Sequence, residues 1–210
     1  MDYAGLKTSV SNWSGRSDAE TVGEIPNFIL FAEDSFNHGM PGNGIAPLRV
    51  REMQATATIT MTDGAGTLPT DYLQYITARS MASTPRPLSY ATGSYTDYAY
   101  VDGAAGLSNT FSITGVSGIN VFPSSGSDVD LVYYAKIPSL SDATTTNWLL
   151  QKMPSLYLHG ALLHLGIFTR DNELIQRSQA MVTSLIDGLN MTDTLGSYAK
   201  AGTRMRMVTP

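Results

Sequence analysis

The chain contains no cysteine. That excludes disulfides, thiolate zinc sites and cysteine nucleophiles, and it leaves the redox compartment open. Charge is also scarce: 15% of residues are charged, against roughly 25% in ordinary soluble proteins. The polar surface must then come from Ser, Thr, Gly and Tyr, and surfaces of that kind tend to be covered by neighbours. Thirteen Lys and Arg face 18 Asp and Glu, a net charge of −5. This argues against a broad basic face for nucleic acid, because phosphate binding needs clustered cations. No apolar run reaches the ~18 residues of a membrane span. The N-terminal MDYAGLKTSV lacks the charged and apolar regions of a signal peptide. Phosphate-cradling G-x-x-x-x-G-K-[ST] and G-x-G-x-x-G patterns are missing, as is the G-x-S-x-G nucleophile elbow. PGNG, DGAG and DGAAG therefore read as turns.

What is present suffices for one sizeable core, or one core plus a satellite domain, in 210 residues. The periodicity reads helix, then strands, then helix. Tyr3, Leu6, Val10 and Trp13 recur at helical spacing, and Gly15 breaks the run. Ser17 or Asp18 can cap a second helix. In EIPNFILFAEDSF, Pro26 suits a first turn and Phe28, Ile29, Ala32 and Phe36 form one stripe. HGMPGNG ends that helix. From residue 48 the period changes to two. Ala55, Ala57, Ile59 and Met61 alternate with polar residues, as in a half-buried strand. TLPTDYLQYITAR predicts another extended segment. NTFSITGVSGINVFP predicts a hairpin turning at 115–118, and DVDLVYYAKIP a strand with Val129, Leu131 and Tyr133 on one face. Residues 82–110 read as loops joined by weak strands. No internal repeat of solenoid period is found.

Helix returns in TNWLLQKMPSLYLHGALLHLG, where Pro154 restarts or kinks the run. Leu156, Tyr157, Gly160, Leu163, His164 and Ile167 form one stripe and Leu158, Leu162 and Leu165 another. A helix apolar on more than one face is covered on more than one side. Asp171 or Asn172 can cap a last helix in which Leu174, Val182, Leu185, Ile186 and Leu189 point together. The tail SYAKAGTRMRMVTP has no periodicity.

Each candidate site has a plain competitor. His159 and His164 are five apart, off a common helical face, with no Glu between them. Helical metal pairs need a spacing of four. They are expected to be hydrogen-bonded polar groups on a packing helix. Glu33 and Asp34 diverge by about 100° on a helix, so they do not share a proton, and a solvated or interface face is expected. SDVD at 127–130 lacks the remaining ligands of a calcium loop and reads as a turn before a strand. Tyr90, Tyr95, Tyr98 and Tyr100 could stack bases or sugars. No Lys or Arg lies between Arg86 and Lys136, which favours sheet packing or a protein interface. Arg204 and Arg206 alternate with Met205 and Met207, either as an arm that docks on a neighbour or as a frayed end. No acid–base–nucleophile set emerges, so an enzyme is not expected.

The order of segments resembles that of tailed-bacteriophage head-to-tail adaptor (head-completion or connector) proteins. The resemblance is carried by EIPNFILFAED, LRVREMQATATITM, LPTDYLQYITAR and, most specifically, DLVYYAKIPSLSDATTTNWLLQKMPSLYLHGALLHLG. HGMPGNGIAP and residues 91–110 are longer than the pattern implies. The resemblance implies an α+β fold: a helical bundle from the N- and C-terminal helices (1–47 and 141–196) with an inserted β-rich domain (48–140); the tail without periodicity (197–210) is expected to be a flexible C-terminal arm. It implies a structural virion protein with no catalysis, cofactor or metal. Such proteins form a ring, usually twelvefold, beneath the capsid portal in the virion neck, assembled in the host cytoplasm. Implied partners are the portal protein, a tail or nozzle protein and further copies of the chain. DNA would pass through the channel without specific binding, and no membrane is involved. On this reading Leu158, Leu162 and Leu165 belong to an inter-subunit interface. Tyr198, Lys200, Arg204, Met205, Arg206 and Met207 belong to a portal-binding arm. The alternative is a virion-associated carbohydrate- or receptor-binding β module.

Overall fold

The computed structural model describes residues 1–93 and 106–198. The fold is mixed α+β, with five helices among the described residues and one curled seven-stranded sheet. The described residues separate into two compact units, residues 1–52 with 137–198, and the rest between 53 and 136.

The first unit is helical. Helix α1 (Tyr3–Ser14) starts where the Asp2 carboxylate accepts from Gly5 N–H, and it buries Tyr3, Leu6 and Val10. Trp13, expected on that stripe, is exposed. Helix α2 (Ala19–His38) is capped by Asp18, whose side chain accepts from Thr21 N–H. It begins earlier than the first-turn placement of Pro26 implied. That cap satisfies the helix end well before Pro26, which sits in the helix interior on an exposed position. A short α3 (Trp148–Lys152) is capped by Asn147, and Pro154 opens α4 (Pro154–Thr169). Helix α5 (Asn172–Tyr198) comes after a tight turn at Arg170 and Asp171. It continues into the segment that shows no periodicity, as far as Tyr198.

Helix α4 is the centre of this unit. Helices α1, α2 and α5 all pack against it. It buries Leu156, Tyr157, Leu158, Ala161, Leu162, Leu163 and Leu165, residues from every side of the helix. Leu158, Leu162 and Leu165 are only 8%, 2% and 1% exposed. The sequence shows that α4 is apolar on two faces, but both faces are covered by the chain's own helices. These three leucines are therefore core residues and not a free inter-subunit surface. An aspartate at any of them would be buried without a partner and would test the fold before it tested assembly. Helix α2 crosses α4 closely enough that a Cβ on Gly160 would lie 2.6 Å from Phe36 Cζ and 2.9 Å from Ala32 Cβ. Burial of the apolar stripes, at about 25 cal/mol per Å² removed from water, is the main stabilising term.

The second unit is the sheet. Its strands are β1 (Gln54–Ile59), β2 (Ala65–Thr67), β3 (Tyr72–Ser80), β4 (Arg86–Tyr90), β5 (Thr110–Thr114), β6 (Gly118–Phe122) and β7 (Val129–Ala135). The order is β1-β7-β3-β4-β5-β6-β2, antiparallel except for β4 with β5. Strands β5 and β6 form the expected hairpin. The two edge strands, β1 and β2, are consecutive in the chain. The curl brings them so near that a Cβ on Gly66 would lie 2.7 Å from Ile59 Cγ2 and from Met61 Sδ. Ile59, Leu68, Phe111, Ile119, Val121, Leu131 and Tyr133 fill the core inside the curl.

Candidate functional site

The most constrained polar constellation lies in the helical unit and joins α2 to the irregular segment 137–147. That segment has no ladder of its own, so its backbone donors need acceptors from elsewhere. Glu33, 1% exposed on α2, supplies one. Its Oε1 accepts from Leu140 N–H at 2.9 Å and from the Tyr157 hydroxyl at 3.0 Å. Asn37, one turn on, accepts from Ile137 N–H at 3.1 Å. Asn147 donates to the Tyr157 oxygen at 2.6 Å and to the Pro138 carbonyl at 2.7 Å. Its Oδ1 accepts from Leu150 N–H at 2.8 Å and so caps α3.

Burial raises the Glu33 pKa, against the opposing hydrogen bonds from Leu140, Tyr157 and Ser139. Burial and the adjacent Glu33 carboxylate drive the Tyr157 hydroxyl far above its ordinary range. Glu33 Oε2 has no hydrogen-bond partner. Glu33 was expected on a solvated or interface face; it is buried, and only Asp34 is exposed. The reason is that its partners lie more than 100 positions away, in a segment that docks on α2 and on the central helix. The constellation is sealed from solvent, so it holds segments together and cannot admit a substrate.

The two helix α4 histidines serve packing. His159 sits edge-on to Trp13 at 5.9 Å between ring centroids. His164 Nε2 lies 3.0 Å from Ser35 Oγ, and its ring lies beside Phe31. Burial lowers both pKa values. The neutral forms are thus favoured in the fold, and their contribution to stability is lost as pH falls from about 6.5, the ordinary histidine value, through the folded pKa. The melting temperature of His164→Gln is therefore expected to drop less than that of the unaltered chain between about pH 7.5 and about pH 5. An identical pH dependence for the two would contradict this assignment.

Among the described residues no three His, Asp or Glu side chains gather as a metal site. Asp130 instead accepts from Thr58 across β1 and β7. Tyr90 stacks on Tyr75 at 5.2 Å and meets Phe111 edge-on; Tyr95, Tyr98 and Tyr100 lie outside the described residues. Tyr198 closes α5, whereas Lys200, Arg204, Met205, Arg206 and Met207 of the expected arm also lie outside them. The helical unit also exposes apolar residues outside the sequence-predicted set, Leu30 and Phe31 on α2 and Met191 and Leu195 on α5. Their signal was a second set of apolar positions at helical spacing, off each buried stripe.

The chain is a mixed α+β protein whose buried polar network fastens one segment to another. The family model described as SU10 adaptor protein matches residues 1–208. The chain belongs to that family, a phage head-to-tail adaptor family, which makes it a structural component of the virion. No curated protein matches it.

Proposed function

We propose that copies of this chain form a ring between the capsid portal and the tail, extending the DNA channel and presenting a surface to the next tail component. The observation that carries this reading is the family match over residues 1–208. The helical unit, built from helices before and after the sheet, would be the bundle that builds the ring, and the curled sheet would be an inserted domain. A net charge of −5 favours a channel wall that does not grip DNA, since like charges repel phosphate.

Residues 199–210 are proposed as the portal-binding arm. They carry Lys200, Arg204 and Arg206 and no acidic residue, on a chain that is acidic as a whole. Ordering such a segment on a partner costs entropy that burial of Met205 and Met207 offsets. The test is binding to purified portal rings by the full chain and by a chain lacking residues 199–210. The full chain is expected to bind; the truncated chain should bind at least tenfold more weakly with an unchanged melting temperature. Equal binding would contradict the arm, and no binding by the full chain would contradict the function.

A further inference from the structure

Helix α5 changes character at Leu189. Up to that point it buries Val182, Ile186 and Leu189 in the helical unit. Beyond it, none of residues 190–196 is buried, and Met191 and Leu195 are 65% and 58% exposed. Composition does not favour helix there either. Asn190, Thr192, Asp193, Thr194, Gly196 and Ser197 all come from the weak half of the helix-propensity scale. Thr192 and Thr194 turn their hydroxyls back onto the Gly188 and Asn190 carbonyls, a bond that slightly weakens a helix. The last turn carries no basic residue to meet the negative end of the helix dipole. With neither apolar burial nor propensity, segment 190–198 would fray by itself, yet it is helical as far as Tyr198.

Its support comes from segment 47–51. That segment is rooted in the bundle: Leu48 and Val50 are buried, and Leu48 N–H donates to the Phe36 carbonyl near the end of α2. The Arg49 guanidinium donates to the Asn37 carbonyl. The same segment addresses α5 at positions three apart, Asn190, Asp193 and Gly196. Asn190 accepts from Arg49 N–H at 2.8 Å and donates to the Pro47 carbonyl at 3.1 Å. Arg51 Nε donates to Asp193 at 2.7 Å. The Arg51 guanidinium also lies over Gly196, where a Cβ would stand 2.7 Å from its Nη2. It thereby supplies the cation that the last turn of α5 lacks.

We propose that segment 47–51 is a latch that keeps residues 190–198 helical and so fixes where the arm at 199–210 begins. Segment 190–198 spans about 13 Å as helix and about 30 Å extended, so opening the latch lengthens the tether of the arm and frees its direction. The bonds that close the latch are few and polar, and the Arg51–Asp193 pair is half-exposed on its arginine side. The latch therefore opens without unpacking the buried stripe that ends at Leu189. Asn190, Arg51 and Asp193 are positioning residues for the arm. Their link to the portal rests on the arm reading; the latch itself does not.

Hydrogen exchange of the full chain tests the latch. Arg51→Ala changes nothing within α5. Asn190→Ala removes both bonds to segment 47–51 while installing the strongest helix former. Each variant is expected to speed exchange of amides 193–198 about tenfold or more, with the amides of α4 unchanged. Exchange like that of the parent in both variants would overturn the proposal, as would a parent whose amides 193–198 are unprotected. Binding to purified portal rings tests what the latch does for the arm. Arg51→Ala should weaken it about threefold or more, since an arm that starts from a frayed stem is less preorganised. Thr192→Ala and Thr194→Ala, both at exposed positions, raise helix propensity without touching the latch. Added to Arg51→Ala, they should restore both protection and binding. Protection restored without binding would mean that Arg51 touches the portal itself, and would overturn the positioning role. Lost protection with unchanged binding would overturn it too. No portal binding by the unaltered chain would overturn the arm reading and the positioning role together, and the exchange result alone would then decide the latch.

Discussion

Replacing Gly160 with valine is expected to destabilise the helical unit by about 3 kcal/mol or more, a large share of the roughly 5–15 kcal/mol that holds a domain folded. The Cβ alone would stand 2.6 Å from Phe36 Cζ and 2.9 Å from Ala32 Cβ. Neither neighbour can retreat easily. Phe36 is fully buried with its ring edge-on to Tyr157, and Ala32 is bound into α2. Alanine at the same position gains up to about 1 kcal/mol of helix propensity, so its net loss should be smaller than that of valine. The clash also predicts its own cure. Phe36→Leu should cost stability alone, yet combined with Gly160→Val the total should fall short of the sum by about 1 kcal/mol or more, the signature of residues in contact. Both tryptophans, Trp13 and Trp148, lie in the helical unit. Denaturant titration monitored by tryptophan fluorescence therefore reports this unit. Strict additivity, or a valine variant as stable as the parent, would contradict the close crossing of α2 and α4.

The second large effect is expected at Glu33. Glu33→Ala leaves the Leu140 N–H and the Tyr157 hydroxyl without their acceptor. Each buried donor so stranded costs about 1–3 kcal/mol, which makes a loss of about 2–5 kcal/mol for the pair. Glu33→Gln keeps a carbonyl oxygen for both donors and should cost less than half as much. The glutamine variant also isolates the titration. The folded pKa of Glu33 is raised, by burial first, so the folded chain holds a proton that the unfolded chain has released. That contribution is fully present below about pH 4.3, the ordinary glutamate value, and is lost as pH rises through the folded pKa. The stability of the parent relative to Glu33→Gln, whose side chain does not titrate, should thus decline as pH rises from about 4.3 through the folded pKa. A difference between Glu33→Gln and the parent that is constant with pH would mean that the carboxyl titrates normally. A Glu33→Ala variant with unchanged stability would mean that the joint to segment 137–147 holds without it.

Local pattern made some of this architecture legible. Leu6 and Val10 recur at helical spacing because one side of α1 faces the core. Val129, Leu131 and Tyr133 alternate because β7 has one face inside the curl. The division into helix, strand and helix comes from such periods. What they do not contain is the identity of the surface that covers each face. Leu158, Leu162 and Leu165 show that α4 is covered twice over, and only the packing of α1, α2 and α5 shows that the chain does the covering itself. Glu33 reads as a solvent-facing acid beside Asp34 until Leu140 and Tyr157, distant in the chain, are brought against it. Strand order is equally non-local: nothing in QATATI announces that β1 pairs with β7, or that β2 closes the other edge. Pro26 misled for a related reason. A proline restricts the residue before it and removes one donor, yet a helix already capped by Asp18 carries it at an exposed interior position.

The proposed ring would place this adaptor-family chain in the virion at the portal's own copy number. Quantitative mass spectrometry of purified parent virions tests it most directly, by comparing the copy number of this chain with that of the portal protein. A ratio near one is expected. Absence of the chain from mature particles, or a ratio far below one, would contradict it.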